Sequence, residues 1–257
     1  MKVSIVTVGY NCASTLGRAM DSILQQTYQD IEYIVVDGKS SDHTIEIIKS
    51  YEPKFGNRLI WISEQDKGIY NAMNKGIKIA TGEIIGILNS DDFLTSNTII
   101  ERIVYEFKKG NNLELIYGDV HFVRPKDLHK NIRNYTGRFF QPWMIRFGYF
   151  PPHPSIYVRR DVYEKYGMYD DSLRIAADFE FFANLIHNHH ISTKYIPMDF
   201  VTMLTGGEST KSWKQRELGT KEDMQACRKL GIKTNCFFIR MKYLFKAIDA
   251  AIPKKTY

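Results

Sequence analysis

The chain is short of the features that would place it outside ordinary globular proteins. Its three cysteines, Cys12, Cys227 and Cys236, show no CxxC spacing. They cannot build a disulfide framework or a four-cysteine zinc site, and they suit a reducing cytoplasm. No apolar run reaches the roughly 18 residues of a spanning helix. The N-terminus carries one lysine and then a strand-like run, without a signal-peptide cleavage pattern. There is no GxGxxG after the first strand-like run and no GxxxxGKS/T, which argues against a dinucleotide oxidoreductase and a P-loop NTPase. Internal repeats and low-complexity linkers are also lacking, so one domain with a C-terminal appendage is the simplest organisation.

What is present is ordinary in amount and uneven in placement. The 257 residues are 44% hydrophobic and 25% charged, ample for a large buried core. The net charge of +6 divides sharply along the chain. Residues 1–123 carry 12 basic and 16 acidic side chains, and residues 124–160 carry 8 and 1. Residues 161–210 carry 3 and 8, and residues 211–257 carry 12 and 4. A nucleic-acid binder would line one continuous face with cations, and this chain does not. The pattern fits local handling of anions or a cation, with a basic tail facing an anionic surface. Solvated basic faces would give the same composition.

The hydrophobic pattern of the first half alternates strand and helix. Residues 3–8, 31–36, 59–62 and 83–88 are short β-branched runs of the kind buried on both faces of a sheet. Between them, Leu16, Ala19, Met20 and Ile23, then Ile45 and Ile48, then Ala72, Met73, Gly76 and Ile77 recur at helical spacing. Asp42 and Ser96 stand where helix caps are expected. This alternation predicts an α/β domain with a mostly parallel central sheet. The second half reads as a long aromatic loop over 139–154, then a strand over 155–158. Helices follow over 161–166 and 178–190, then a strand over 192–197 and helices over 213–230 and 236–251.

Polar clusters fall at the ends of the four strands: residues 7–11, 37–42, 64–66 and 89–92. Parallel sheets bind ligands beyond those ends. Asp91-Asp92 would repel each other there unless a cation or strong donors compensate. Mg²⁺ and Mn²⁺ are held by such carboxylates together with substrate phosphates; a solvated turn is the plainer alternative. Asp37 ends the second strand just before a helix N-terminus. That arrangement suits a ribose hydroxyl and a nearby anion.

These residues resemble the family 2 glycosyltransferases of GT-A (Rossmann-like) fold. The likeness rests on Val6-Thr7-Val8-Gly9-Tyr10-Asn11, residues 37–44, the stretch from Glu64 through Asp66-Lys67-Gly68 to Gly76, and Leu88-Asn89-Ser90-Asp91-Asp92. It resumes more weakly at Pro152-His153-Pro154-Ser155, Gly167-Met168-Tyr169-Asp170 and Ala176-Ala177-Asp178-Phe179-Glu180. Bacterial polysaccharide, O-antigen and colanic acid enzymes are the most similar kinds. The resemblance implies that Thr7, Gly9 and Tyr10 border the nucleotide base, that Asp37 and Asp66 bind base or ribose, and that Lys67 and Gly68 open the helix beside the donor. It further implies that Asp91 touches ribose or sugar, that Asp92 binds Mn²⁺ or Mg²⁺, and that Asp178 is the base of an inverting transfer. His153 and Trp213 are candidates for facing donor or acceptor. Asn71 stands where many relatives have Asp, and Ala177 precedes Asp178 where some have a second acid.

The resemblance implies a nucleotide-sugar donor, UDP-linked in first instance. It also implies a glycan or polyprenyl-diphosphate-linked sugar acceptor in surface polysaccharide synthesis. A catalytic domain over 1–210 divides into a donor half (1–123) and an acceptor half (124–210), followed by a basic amphipathic region over 211–257. There Phe237, Phe238, Met241, Leu244, Phe245 and Ile248 form an apolar stripe bordered by Arg240, Lys242 and Lys246. Such a stripe suits docking on the inner face of an anionic cell membrane, or packing on protein. No QxxRW occurs, which argues against a processive synthase. A sugar-nucleotide nucleotidyltransferase would need a glycine-rich basic loop after the first strand. A non-catalytic nucleotide-sugar or glycan-binding module would share the site but turn nothing over.

Overall fold

The computed structural model describes residues 1–110, 112–206 and 212–251. In chain order the elements of the first half are β1 (Val3–Gly9), α1 (Ala13–Leu24), β2 (Ile31–Asp37), α2 (Thr44–Phe55), β3 (Leu59–Ser63), α3 (Ile69–Ile79), β4 (Ile84–Ile87), β5 (Phe93–Leu94) and α4 (Ile99–Lys109). The second half adds β6 (Leu115–Val123), β7 (Arg133–Tyr135), β8 (Tyr157–Arg159), α5 (Arg160–Tyr166), α6 (Ala177–Ala183) and β9 (Thr193–Leu204). It closes with α7 (Trp213–Lys229), α8 (Cys236–Arg240) and α9 (Lys242–Ala251).

One sheet runs through the domain in the order β3-β2-β1-β4-β8-β6-β9-β5, with β7 added to β6. Strands β1 to β4 pair in parallel, as do β6 and β9. The short β8 is antiparallel to both β4 and β6. Successive side chains of β1 enter opposite layers, as the period of two requires. Val3 and Ile5 pack with Leu16, Met20 and Ile23 of α1. Val6 and Val8 pack with Met73 and Ile77 of α3. Each fully buried aliphatic side chain of this size contributes about 1.5–3 kcal/mol. Gly76 lets α3 lie directly on β1, because a Cβ there would sit 2.3 Å from Val6 Cγ1.

Several local expectations need correction. Asp42 sits one residue before the cap position of α2. Its Oδ1 accepts from the Thr44 amide (3.0 Å) and its Oδ2 from the Ala13 amide (3.2 Å), so it joins two helix starts. Ser96 does not cap α4. Gln26 reaches across from the end of α1, and its Oε1 accepts from the Ile100 amide (3.2 Å). The helix expected over 178–190 is α6 continued by a π-helical turn over Asn184–Asn188. The strand expected to stop at Pro197 runs on to Leu204. Proline cannot donate to a ladder, and the chain absorbs it by register shifts against β6 between Tyr117 and Val120. The expected strand start at Ser155 lies in a 3₁₀ turn, and β8 begins at Tyr157. The expected last helix breaks at Met241 into α8 and α9.

The C-terminal helices share the main core. Ala226, Cys227, Leu230, Ile232 and Ile239 belong to the same buried cluster as Val6 and Val8. The expected apolar stripe is split by this packing. The Phe238 ring lies on Phe147 (5.1 Å) and the Phe245 ring on Tyr149 (5.4 Å), while Phe237, Leu244 and Ile248 remain exposed. No helix among the described residues is long and apolar enough to cross a membrane.

Candidate active site

Strand β1 has β2 on one side and β4 on the other, so the chain changes direction across the sheet at β1. The crevice beyond the carboxyl ends of those strands is the position where open α/β sheets bind ligands. Gly9 ends β1 there. A Cβ at Gly9 would lie 2.5 Å from Cys12 Sγ and 3.2 Å from Ser90 Cβ, so the turns after β1 and β4 are in direct contact. The Gly38 amide donates to the Gly9 carbonyl (2.8 Å). A Cβ on Gly38 would lie 3.2 Å from Asp66 Oδ2 and 3.5 Å from Tyr10 Cβ. Gly9, Tyr10, Asp37 and Asp66 thus converge around one glycine. Tyr10 is exposed.

The acids of this group are held by their own loops. Asp37 is buried. Its Oδ2 accepts from the Ser40 amide (3.0 Å) and the Ser63 hydroxyl (2.6 Å), and its Oδ1 from the Ser40 hydroxyl. Asp66 pairs with Lys75 (2.5 Å), which also holds Glu64 (2.8 Å). Gly68 begins α3 at φ +144°, which side-chain-bearing residues rarely adopt. The Lys67 amide leans on Asn71 Oδ1 (3.4 Å). Thr7 points away from this crevice, into the layer of α1 and α2, where its Oγ1 accepts from the Tyr33 hydroxyl (3.0 Å).

Asp91 and Asp92 follow β4 directly. Asp92 is 2% exposed, and its only donors among the described residues are Asn89 Nδ2 (2.8 Å) and the Leu204 amide. Burial and the Asp91 carboxylate push its carboxyl up to about 8. Burial raises Asp91 as well. No lysine, arginine or histidine among the described residues forms an ion pair with either acid. The pair therefore lacks a counter-charge, and its hard oxygen ligands match a Mg²⁺ or Mn²⁺ ion. No group of three or more His, Cys, Asp or Glu suited to a metal occurs among the described residues. An ion held here would draw its other ligands from a donor diphosphate and water.

Asp178 is the second residue of α6, whose cap is Ala176. Its Oδ1 accepts from the Tyr70 hydroxyl (3.0 Å) and the Phe179 amide (2.8 Å). Nothing among the described residues donates to Oδ2. Tyr70 belongs to α3 and also bonds the Ile175 carbonyl (2.6 Å), so the donor-side helix fixes the candidate base. The turn before α6 is clamped from α7. Glu222 accepts from three successive amides, Arg174 (3.0 Å), Ile175 (2.8 Å) and Ala176 (3.0 Å). The negative charge of Asp178 opposes ionisation of the buried Tyr70 and Tyr169 hydroxyls and favours the charged form of Lys242.

His153 bonds the Tyr169 hydroxyl through Nε2 (2.8 Å), and burial lowers its pKa, which favours the neutral imidazole. Asn74 fastens the same loop through both the amide and the carbonyl of Tyr169 (3.1 and 2.8 Å). Trp213 is 75% exposed at the start of α7, and residues 207–211 before it lie outside the described residues. The sequence reading did not single out Tyr70, Tyr169, Glu222 or Asp223. Tyr70 and Tyr169 stand inside the quoted motifs, whereas Glu222 and Asp223 carry no local signal because their partners are 46 to 48 residues upstream or in α9.

A mostly parallel sheet of this order, with polar clusters beyond the carboxyl ends of its strands, is the GT-A architecture of glycosyltransferases. The chain belongs to glycosyl transferase family 2, whose model matches residues 4–167. It is 31% identical over 193 residues to a PGL/p-HBAD biosynthesis glycosyltransferase of Mycobacterium bovis, covering 75% of this chain and 73% of the relative. Among solved structures, S. aureus TarS 1–349 in complex with UDP-GlcNAc superposes with TM-score 0.64 at 17% identity, over 95% of this chain and 72% of that one. The mannosyltransferase PcManGT from Pyrobaculum calidifontis, in complex with GDP-Man and Mn²⁺, gives TM-score 0.67 at 16% identity, over 99% and 76%.

Proposed function

We propose that this glycosyltransferase is a metal-dependent, inverting enzyme. It moves a sugar from a nucleotide-diphosphate donor, UDP-linked in first instance, to a glycan or polyprenyl-diphosphate-linked sugar in surface polysaccharide synthesis. The observation that carries the reading is the tie through Tyr70 between the donor-side helix and an acid, Asp178, whose Oδ2 meets no donor among the described residues. The loops around Gly9, Asp37 and Asp66 bind base and ribose, and Asp91 and Asp92 hold a divalent cation. An ion held by Asp91 and Asp92 would supply charge neutralisation at the leaving diphosphate. Asp178 Oδ2 takes the proton of the acceptor hydroxyl as its oxygen attacks the anomeric carbon. Displacement in one step inverts that centre, and no second carboxylate is needed on the leaving-group side, unlike in a glycoside hydrolase.

A thermal-shift panel of UDP, GDP and dTDP with Mn²⁺ tests the donor. One nucleotide at ~100 times its dissociation constant adds about 2.7 kcal/mol of stability. Slow hydrolysis of the matching nucleotide sugar without acceptor separates an enzyme from a binding module. No stabilisation by any nucleoside diphosphate would refute the reading.

The enzyme works at the inner face of a membrane. Phe237 is 71% exposed, and Leu244, Ile248 and Trp143 are exposed with it. Trp143 packs its edge on Phe245 of α9 (6.4 Å), and Arg146 lies over Phe147 and Phe238. Apolar tips beside cations suit an anionic surface, each basic group adding roughly 1 kcal/mol near lipid. Salt-sensitive co-sedimentation with phosphatidylserine vesicles is expected for the wild type and lost in a Phe237→Ser, Leu244→Ser, Ile248→Ser variant. Equal partitioning of the two would refute docking.

A further inference from the structure

Helix α9 carries a cation whose place the reaction as described does not explain. Lys246 is half-buried, with its ammonium 4.9 Å from the centre of the Tyr135 ring. Among the described residues no carboxylate comes within 4 Å of it. Its neighbours are otherwise engaged. Lys242, one turn earlier, pairs with buried Asp223. Asp249, three residues later, accepts from the Tyr149 hydroxyl (2.6 Å), which also bonds the Thr136 carbonyl.

A second cation shares the position. Arg133 stands two residues before Tyr135 on β7, and so on the same face of that strand. Its guanidinium lies over the Phe122 ring (3.9 Å) and makes no ion pair among the described residues. Helix α9 packs against β7, which brings the elements that carry the two cations together, and the charge of Arg133 disfavours that of Lys246. Burial together with Lys242 and Arg133 pushes Lys246 down to about 8, against the opposing pull of Asp223 and Asp178. Asp223, Asp178 and Asp249 attract this ammonium from beyond ion-pair distance, so they offset the cost of its burial only in part, and an anion bound against it would offset more. A neighbouring guanidinium adds the planar donors that suit a phosphate. The Tyr135 hydroxyl bonds the Phe150 carbonyl, and the Phe150 ring packs on that of Phe179 (5.7 Å), the residue after Asp178, so the cations around Tyr135 stand on the wall that carries the candidate base.

We propose that Lys246 and Arg133 form a phosphate-binding subsite beside Asp178, which receives the phosphate or diphosphate of a substrate. The inference deepens the glycosyltransferase reading and rests on it. Two substrates could bring that chemistry, a lipid-linked acceptor or the donor nucleotide, and the probes distinguish them. Titration calorimetry on the full chain would use inorganic pyrophosphate, farnesyl diphosphate, farnesol and UDP. EDTA keeps any ion at Asp91 and Asp92 from bridging the anions, and UDP is titrated again with Mn²⁺.

Loss of a charge-assisted phosphate contact weakens binding by about 10- to 100-fold. Farnesyl diphosphate and pyrophosphate are expected to weaken by that factor in Lys246→Gln and in Arg133→Gln, with Lys246→Arg close to wild type. UDP with Mn²⁺ unaffected by these changes assigns the subsite to the acceptor; UDP weakened in parallel assigns it to the donor. Farnesol is expected to bind all variants alike, because it lacks the anion. Equal affinities of pyrophosphate, farnesyl diphosphate and UDP in wild type and both Gln variants would overturn the subsite. So would a ligand-free Lys246→Gln protein that melts well below wild type, because Lys246 would then be a structural cation. Failure of the donor reading shows separately, as wild-type protein that does not respond to any nucleoside diphosphate with Mn²⁺.

Discussion

Replacing Asp178 by asparagine is expected to lower sugar transfer by about 10²–10⁴-fold, the usual cost of losing a general base. Nucleotide and Mn²⁺ affinity should stay at wild-type values. Asparagine keeps an oxygen for the Tyr70 hydroxyl and the Phe179 amide, which both meet Oδ1. It places an NH₂ group at Oδ2, which no described residue occupies and which the acceptor proton needs. Glu222 still clamps the amides of residues 174–176 from α7, so the turn that presents residue 178 remains in place. Single-turnover transfer beside calorimetric UDP binding measures both quantities. A collapse of donor affinity with transfer spared would make Asp178 a binding residue and put the base elsewhere.

The parallel first half was legible because its strands are short β-branched runs with polar ends. Each of the four clusters could be placed from the pattern alone, and Gly9, Tyr10, Asp37 and Asp66 converge at Gly38. The second half was less legible because its elements depend on distant partners. Pro197 reads as a strand end, yet β9 continues because its register against β6 can shift. The cap of α4 comes from Gln26, 74 residues before the amide it serves. The C-terminal helices follow the sheet as expected, but the residues they pack on lie far upstream. Their buried acids have partners that the sequence does not reveal: Glu222 holds the turn before α6, and Asp223 holds Lys242. Thr7 illustrates the opposite limit. It lies inside a family motif, yet its hydroxyl is engaged by Tyr33 within the layer behind the sheet.

Asp92→Asn is expected to remove the Mn²⁺ response and to reduce transfer by about 10³-fold, the scale of several kcal/mol of leaving-group stabilisation. Wild-type protein with Mn²⁺ at ~100 times its dissociation constant gains about 2.7 kcal/mol, and the variant gains little. The variant should also melt at least as high as wild type in EDTA. Asp92 is buried against Asp91 with two donors among the described residues and no cation. An amide of the same shape ends that repulsion and can still accept from the Leu204 amide. Functional sites commonly hold such unfavourable groups at a cost in stability. Opposite changes in metal-free stability and in metal response separate a cation site from a structural turn. A solvated turn would lose stability or show no change on substitution, and its response to Mn²⁺ would match wild type. Scanning thermal unfolding in EDTA and across a Mn²⁺ titration, with transfer assayed on the same samples, decides between the two.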